Sequence, residues 1–277
     1  TYYIAQAYLN FSRSLLDSER PAGMSQTELN SYELLIEEEA YPFEDQAIAV
    51  HEANYEFMLT GVYNDWIQKS LDELAGLLPA RYAKQETSEG PLRSVDMYAY
   101  RAPGSEEAPE LTIIETAPVS DEYRAAFFEA MNDFDSDERQ SPIDKLTFLT
   151  SESPMVAASH INLGIAHHEA GNLEAAAEHL QDALALDVAA GHPVVLTELG
   201  IVYRKLGRFA EAKDSYEAAL AAVPGYHFAR RNLGILCDLY LSDTGCAMRE
   251  YETYMAAMPD DEEVAIWIAD VSNRMAR

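Results

Sequence analysis

Leu163-Gly164, His167, Gly171-Asn172, Ala176, Leu180 and Ala183 return 36 residues later as Leu199-Gly200, Tyr203, Gly207-Arg208, Ala212, Tyr216 and Ala219, closed by Pro224. A third copy, 34 residues on, reads Leu233-Gly234, Cys237, Ala247, Tyr251, Tyr254 and Pro259, with one extra residue assigned to its inner turn. Each copy is two amphipathic stretches split by Gly-Asn, Gly-Arg or Asp243-Thr244-Gly245, which predicts a helical hairpin turning at a glycine that tolerates positive φ. Gly164, Gly200, Gly234 and Ala176, Ala212, Ala247 fall where paired helices must approach closely, and Leu180, Tyr216 and Tyr251 are expected to fill the groove to the next unit. A hairpin this short cannot bury its apolar face alone, so the pattern requires stacking.

A unit of about 34 residues carrying L-G-x2-Y, A-x3-F and then P resembles the tetratricopeptide repeat family. The resemblance implies a mainly α-helical hairpin solenoid, with three units over residues 154–259, that binds a protein or peptide partner and is not an enzyme. It places first-helix side chains on a concave face, nominating Ile161, Ile165, His168, Thr197, Ile201, Arg204, Lys205, Phe228, Arg231, Ile235 and Leu239 as partner-binding residues. The Lys and Asn clamp that holds chaperone tails is not met, because the corresponding positions carry Ile161, Ile165, Thr197 and Ile201. Beyond the third unit, Pro259-Asp260-Asp261-Glu262-Glu263 supplies a stop, an N-cap and first-turn acids. Val264, Trp267, Ile268 and Val271 follow at helical spacing, which predicts a capping helix over residues 260–277.

Net charge is −29, which argues against nucleic acid as a partner, since phosphate binding draws on clustered Lys and Arg. Against that background Arg204 to Arg231 is an island of six bases and three acids. Two readings stand side by side: pairing with carboxylates of the preceding insertion, or a peptide whose carboxylates meet Arg204, Lys205 and Arg231 while its apolar side chains rest on the isoleucines.

Residues 1–86 read as a helical region. Ala47 to Met58 with Gly61 to Pro79 resembles a degenerate unit in which Trp66 replaces the small contact residue. Pro42 predicts a break after Tyr41. Residues 87–153 form an insertion of different character, with turn signals at Ser88-Glu89-Gly90-Pro91 and Arg101-Ala102-Pro103-Gly104-Ser105. Val95 to Tyr100 and Leu111 to Glu115 are compatible with a β-hairpin, and Ser120 to Asn132 with one helix. Insertions in repeat proteins often crowd the binding face.

The chemistry-bearing motifs are few. Asp133, Asp135, Asp137 and Asp144 have the alternation of a calcium loop, but Glu138 stands where such a loop needs Gly, so a solvated acidic loop is the preferred reading. His160, His167 and His168 share one helix without a second-helix partner at ligand spacing, and His51-Glu52 lacks the second His of a zinc protease helix; all are read as structural. No phosphate loop or nucleophile elbow occurs, and no metal or cofactor is expected.

No run of 18 apolar residues or export signal is present, so this segment is not expected to insert into a membrane. Because the sequence opens inside an apparent helix (Tyr2, Ile4, Ala7, Tyr8, Phe11), it reads as a trimmed segment, from which an export signal or anchor ahead of residue 1 would not be visible. Asn232 to Leu241, Tyr251 and Trp267 to Asp270, together with Pro42-Phe43, His51-Glu52-Ala53-Asn54 and Pro79-Ala80-Arg81-Tyr82, resemble bacterial repeat proteins that accompany ExbB/ExbD/TonB-type energy-transducing systems. That resemblance implies an exported, periplasmic adaptor in an envelope complex; the alternative is a small-ligand or metal-binding protein with a pocket between solenoid and insertion. In the family's hairpin, Cys237 and Cys246 lie on facing sides, leaving open an oxidised bridge or two reduced thiols. Oligomeric state is not legible.

Overall fold

Helix follows helix along the computed structural model, which describes residues 1–134 and 139–276. The chain forms two units, Thr1–Lys84 and Gln85–Arg277. In the first, α1 (Tyr2–Leu16), α2 (Gln26–Glu56), α3 (Asp65–Leu77) and the single turn α4 (Pro79–Tyr82) bury Ala5, Leu9, Ala47, Ile67, Leu71 and Leu74. The expected break at Pro42 does not occur, since α2 runs through it. Proline removes the bond to the carbonyl four residues back, but Glu38 and Pro42 are both exposed, which leaves that carbonyl on a face that solvent can reach. Trp66 is 42% exposed, and fully buried Ser70 makes the close contact instead, accepting from Asn54 Nδ2 at 2.8 Å with His51 Nδ1 at 3.1 Å.

The second unit begins with residues 85–96, which form neither helix nor strand. An antiparallel hairpin follows, β1 (Met97–Tyr100) pairing with β2 (Leu111–Ile114) in the register Met97 to Ile114 and Tyr100 to Leu111. Next come α5 (Asp121–Asp133), started by a Ser120 cap on the Tyr123 amide at 3.1 Å, and α6 (Gln140–Glu152). The insertion therefore has two helices where one was expected. Ile143, Leu146 and Leu149 form a buried stripe on α6, which packs on α7 and adds a hairpin ahead of the repeats. Within the calcium candidate, Asp133 pairs with Lys145 at 2.7 Å and Asp144 accepts from Gln140 at 2.7 Å, whereas Asp135, Asp137 and Glu138 lie outside the described residues.

Three hairpins then stack: α7 (Ala157–Glu169) with α8 (Leu173–Ala185), α9 (Pro193–Lys205) with α10 (Phe209–Ala222), and α11 (His227–Ile235) with α12 (Thr244–Ala257). The helix α13 (Glu262–Met275) closes the array, capped by Asp261 on the Val264 amide at 3.1 Å. Leu180, Tyr216 and Tyr251 lie directly on Gly164, Gly200 and Gly234 of their own hairpins, so near that a Cβ at Gly200 would sit 2.3 Å from Tyr216 Cε1. Tyr251 also reaches onward, its ring centroid 5.6 Å from that of Trp267 on α13.

The first two hairpins turn at Gly171 (φ +82°) and Gly207 (φ +74°), but the third turns at Ser242 (φ +50°), not at Gly245. The extra residue of the third copy is absorbed earlier, where Leu236–Tyr240 winds as a π turn at the end of the first helix. A π turn accommodates one inserted residue without breaking the helix. It carries Cys237, which is bonded to Cys246 across the hairpin with Cα atoms 5.8 Å apart.

Candidate functional site

The first helices α7, α9 and α11 all turn side chains toward the same segment, residues 85–92 of the chain itself. At one end the Asn232 carboxamide grips Thr87 in both directions, accepting from its N–H at 2.9 Å and donating to its carbonyl at 2.8 Å. At the other, Asn162 does the same to Leu92, at 2.8 Å for each bond. A carboxamide has both donor and acceptor, so it pairs with a peptide unit as another peptide would and leaves no buried backbone group unsatisfied. The two asparagines occupy the same place in their units, immediately before Leu163-Gly164 and Leu233-Gly234.

Charge also fixes the segment, at Gln85 and Glu86 just ahead of the Thr87 clamp and at Glu89 between the two clamps. Arg204 donates to Glu86 Oε2 from Nε at 2.8 Å and also from Nη2, and Tyr216 donates to Oε1 at 2.5 Å. Burial opposes the Arg204 charge, but the facing Glu86 carboxylate more than compensates and holds the guanidinium pKa above its ordinary value. Arg231 donates to the Gln85 carbonyl and to Glu263 Oε2 at 3.0 Å while stacking on Trp267, 4.5 Å from the ring centroid. Glu89 accepts from Tyr98 at 2.8 Å and Tyr226 at 2.9 Å. The hairpin then packs on the repeats, with Tyr98 against His192 and the Tyr100 hydroxyl donating to the Gly225 carbonyl at 2.8 Å. His192 is 2% exposed, and burial holds its pKa down to about 4; burial likewise pushes Tyr100 up to about 12.

The nominated groove residues are thus not an open surface. Ile161, Ile165, Thr197, Ile201, Arg231, Ile235 and Leu239 are buried, Arg204, His168 and Phe228 are half-buried, and Lys205 is exposed. Five of the six bases of the island pair with carboxylates within this unit: Arg204 with Glu86, Arg230 with Glu250 at 2.8 Å, Arg208 with Glu211, Lys213 with Glu217 at 3.7 Å and Arg231 with Glu263. Glu198, in the place that Asn162 and Asn232 take in the flanking units, is 1% exposed and turns to His168 Nδ1 at 3.1 Å. Lys205 Nζ lies 2.6 Å from the other nitrogen of that ring.

Reading one residue at a time missed Asn162 and Asn232, although the repeated Asn-Leu-Gly was the available signal. It also missed a second-helix histidine: His179 of α8 stacks on His167, ring centroids 5.3 Å apart and planes 11° apart. Burial lowers the pKa of both, and the positive charge of the neighbouring histidine (His160 for His179, His179 for His167) lowers it further. One pocket between insertion and solenoid, lined by Val95, Tyr98, Ile161 and His192, has about 20 Å³, room for one water.

Residues 157–182 and 193–226 match tetratricopeptide repeat models. These two segments are tetratricopeptide repeats. The α11–α12 hairpin repeats the Gly200-on-Tyr216 packing of the second segment, with Tyr251 on Gly234. Among solved structures, the chain is similar to a MamA RS-1 ArsTM double mutant, at 16% identity over 57% of this chain and 88% of that one, with a TM-score of 0.52. It is also similar to the crystal structure of MamA protein, at 17% identity over 56% and 83%, with a TM-score of 0.50. TTC0263, a thermophilic repeat protein of Thermus thermophilus, aligns at 20% identity over 54% and 80%, with a TM-score of 0.46. At these identities the likeness is one of fold. No curated protein matches the sequence.

Proposed function

We propose that this chain is a non-catalytic protein-interaction scaffold whose repeat groove recognises a short acidic chain segment, and that residues 85–92 hold that groove until a partner displaces them. One observation carries the reading: Asn162 and Asn232 each take both hydrogen bonds of a backbone residue, while Arg204 takes the Glu86 carboxylate beside the Thr87 clamp. Backbone capture supplies affinity with little regard to side chains, and the placed charge supplies selectivity. Of the groove residues named from sequence, Arg204 and Arg231 bond this segment of the same chain, and a partner presenting a carboxylate at the Glu86 position would meet the same guanidinium.

The finer setting is a periplasmic adaptor in an ExbB/ExbD/TonB-type envelope complex. It is supported by the segment likenesses at both ends of the sequence and by the oxidised pairing of Cys237 with Cys246, which suits an exported protein.

A labelled peptide of residues 85–96, added in trans, tests the groove. Glu86→Lys in the full chain weakens the resident segment and should raise trans affinity at least tenfold over the parent protein, and Arg204→Glu on top should abolish the gain. Equal affinity for parent and Glu86→Lys would refute displacement. For the setting, capture from native envelope extract should retain ExbB, ExbD or TonB homologues; their absence from the eluate counts against it.

A further inference from the structure

The α7–α8 hairpin carries a second cluster, built from different residues than those that hold residues 85–92. His160 comes from α7; His179 and Asp182 come from α8, three residues apart and therefore on one face of that helix. One ligand-capable atom of each lies within 4.8 Å of the others. Antiparallel packing of the hairpin brings them together, so the cluster exists wherever this repeat is folded.

The hydrogen bonding within the cluster is incomplete in a specific way. His160 Nε2 lies 3.1 Å from the Pro154 carbonyl, which accepts only, so Nε2 carries the proton and Nδ1 keeps its lone pair. That Nδ1 is buried without a hydrogen-bond partner among the described residues, and so is His179 Nδ1. Two such atoms in one hairpin are a liability unless something occupies them. A carbonyl on the far nitrogen of an imidazole is the arrangement that fixes ring and tautomer in metal-ligating histidines. His167, stacked on His179, restrains the second ring, and exposed Asp182 gives an ion both an entry and a negative charge.

We propose that His160, His179 and Asp182 bind a divalent transition-metal ion of the zinc type. Two imidazoles and one carboxylate form a donor set suited to zinc, with water in the fourth position, whereas magnesium and calcium favour oxygen alone. Zinc–ligand bonds of 2.0–2.1 Å put tetrahedral ligand atoms about 3.3 Å apart. Rotation of the exposed Asp182 side chain is the movement that closes the set. The site belongs to the repeat's second-helix side and does not depend on the peptide-groove reading.

The test is calorimetric titration of zinc chloride into the full chain, with magnesium in excess to occupy the acidic surface. One ion per chain is expected, with His179→Ala and His160→Gln each weakening zinc at least about tenfold. Zinc K-edge absorption of the loaded parent protein should show two imidazole shells. Asp182→Asn, at an exposed position, gives a variant certain to report if a histidine change unfolds the repeat, and should also weaken binding. Zinc affinity unchanged in the folded histidine variants, affinity no greater than that for magnesium, or an edge spectrum of oxygen ligands alone would each overturn the site and assign the ion to the acidic surface.

Discussion

Asn162→Ala isolates what the asparagine clamps contribute. The substitution deletes both bonds to Leu92 and leaves a buried N–H and a buried carbonyl without partners. An unsatisfied buried group costs about 1–3 kcal/mol, and the two together about 2–4 kcal/mol after partial relaxation. Opening the segment to water relieves that cost, so the loss appears as a shift in local opening rather than of the whole unit. At about 1.4 kcal/mol per decade, amides near Leu92 should exchange about 30- to 700-fold faster in native-state hydrogen exchange, while α9 amides keep their protection. Mass spectrometry of peptides spanning residues 85–96 reads this directly. Protection within twofold of the parent protein would refute the clamp, and so would a loss spread evenly over α7, α9 and α11.

Gly200→Ala should destabilise the second unit by about 2 kcal/mol, because overpacking of about 3 kcal/mol against buried, hydrogen-bonded Tyr216 outweighs about 1 kcal/mol of helix propensity; urea melting with an unchanged midpoint would contradict it. His192 is depressed in the folded state, so the unfolded chain binds more protons between its ordinary 6.5 and about 4, and stability falls as pH drops through that window. The loss amounts to about 3 kcal/mol in total, and His192→Phe should remove it from the difference between urea midpoints at pH 7 and pH 4. Bridging residues nine apart should contribute about 2.5 kcal/mol, so the Cys237→Ser, Cys246→Ser double variant should melt earlier. Alkylation of the unreduced, denatured protein should label neither thiol; full labelling of both would count against the bridge.

The solenoid was legible because close packing writes itself into the sequence locally. Gly200 and Tyr216 sit 16 residues apart in one hairpin, and the same pairing recurs at Gly164 with Leu180 and Gly234 with Tyr251. The occupant of the groove was not legible, because residues 85–92 have no periodicity of their own and find their partners up to 146 positions away, as Gln85 does with Arg231. Their conformation is decided entirely by tertiary bonds. Pro42 misled for a related reason: its penalty depends on whether water reaches the freed carbonyl, and the local rule cannot see exposure. The third hairpin hid its extra residue in a π turn, which preserves the apolar spacing on either side, so the sequence pattern could count the insertion but misplaced it.

Tethering has a quantitative consequence for any partner. A segment joined to its own groove by a chain of this length competes at an effective concentration of the order of millimolar, whatever the abundance of the protein. A free peptide making identical contacts and present at about 10 μM would hold the groove about one time in a hundred, a deficit of about 2.8 kcal/mol. The groove therefore filters by supply as well as by shape. Under the displacement proposed above, loose acidic segments would be passed over, whereas a competitor itself tethered beside the groove would meet no such handicap.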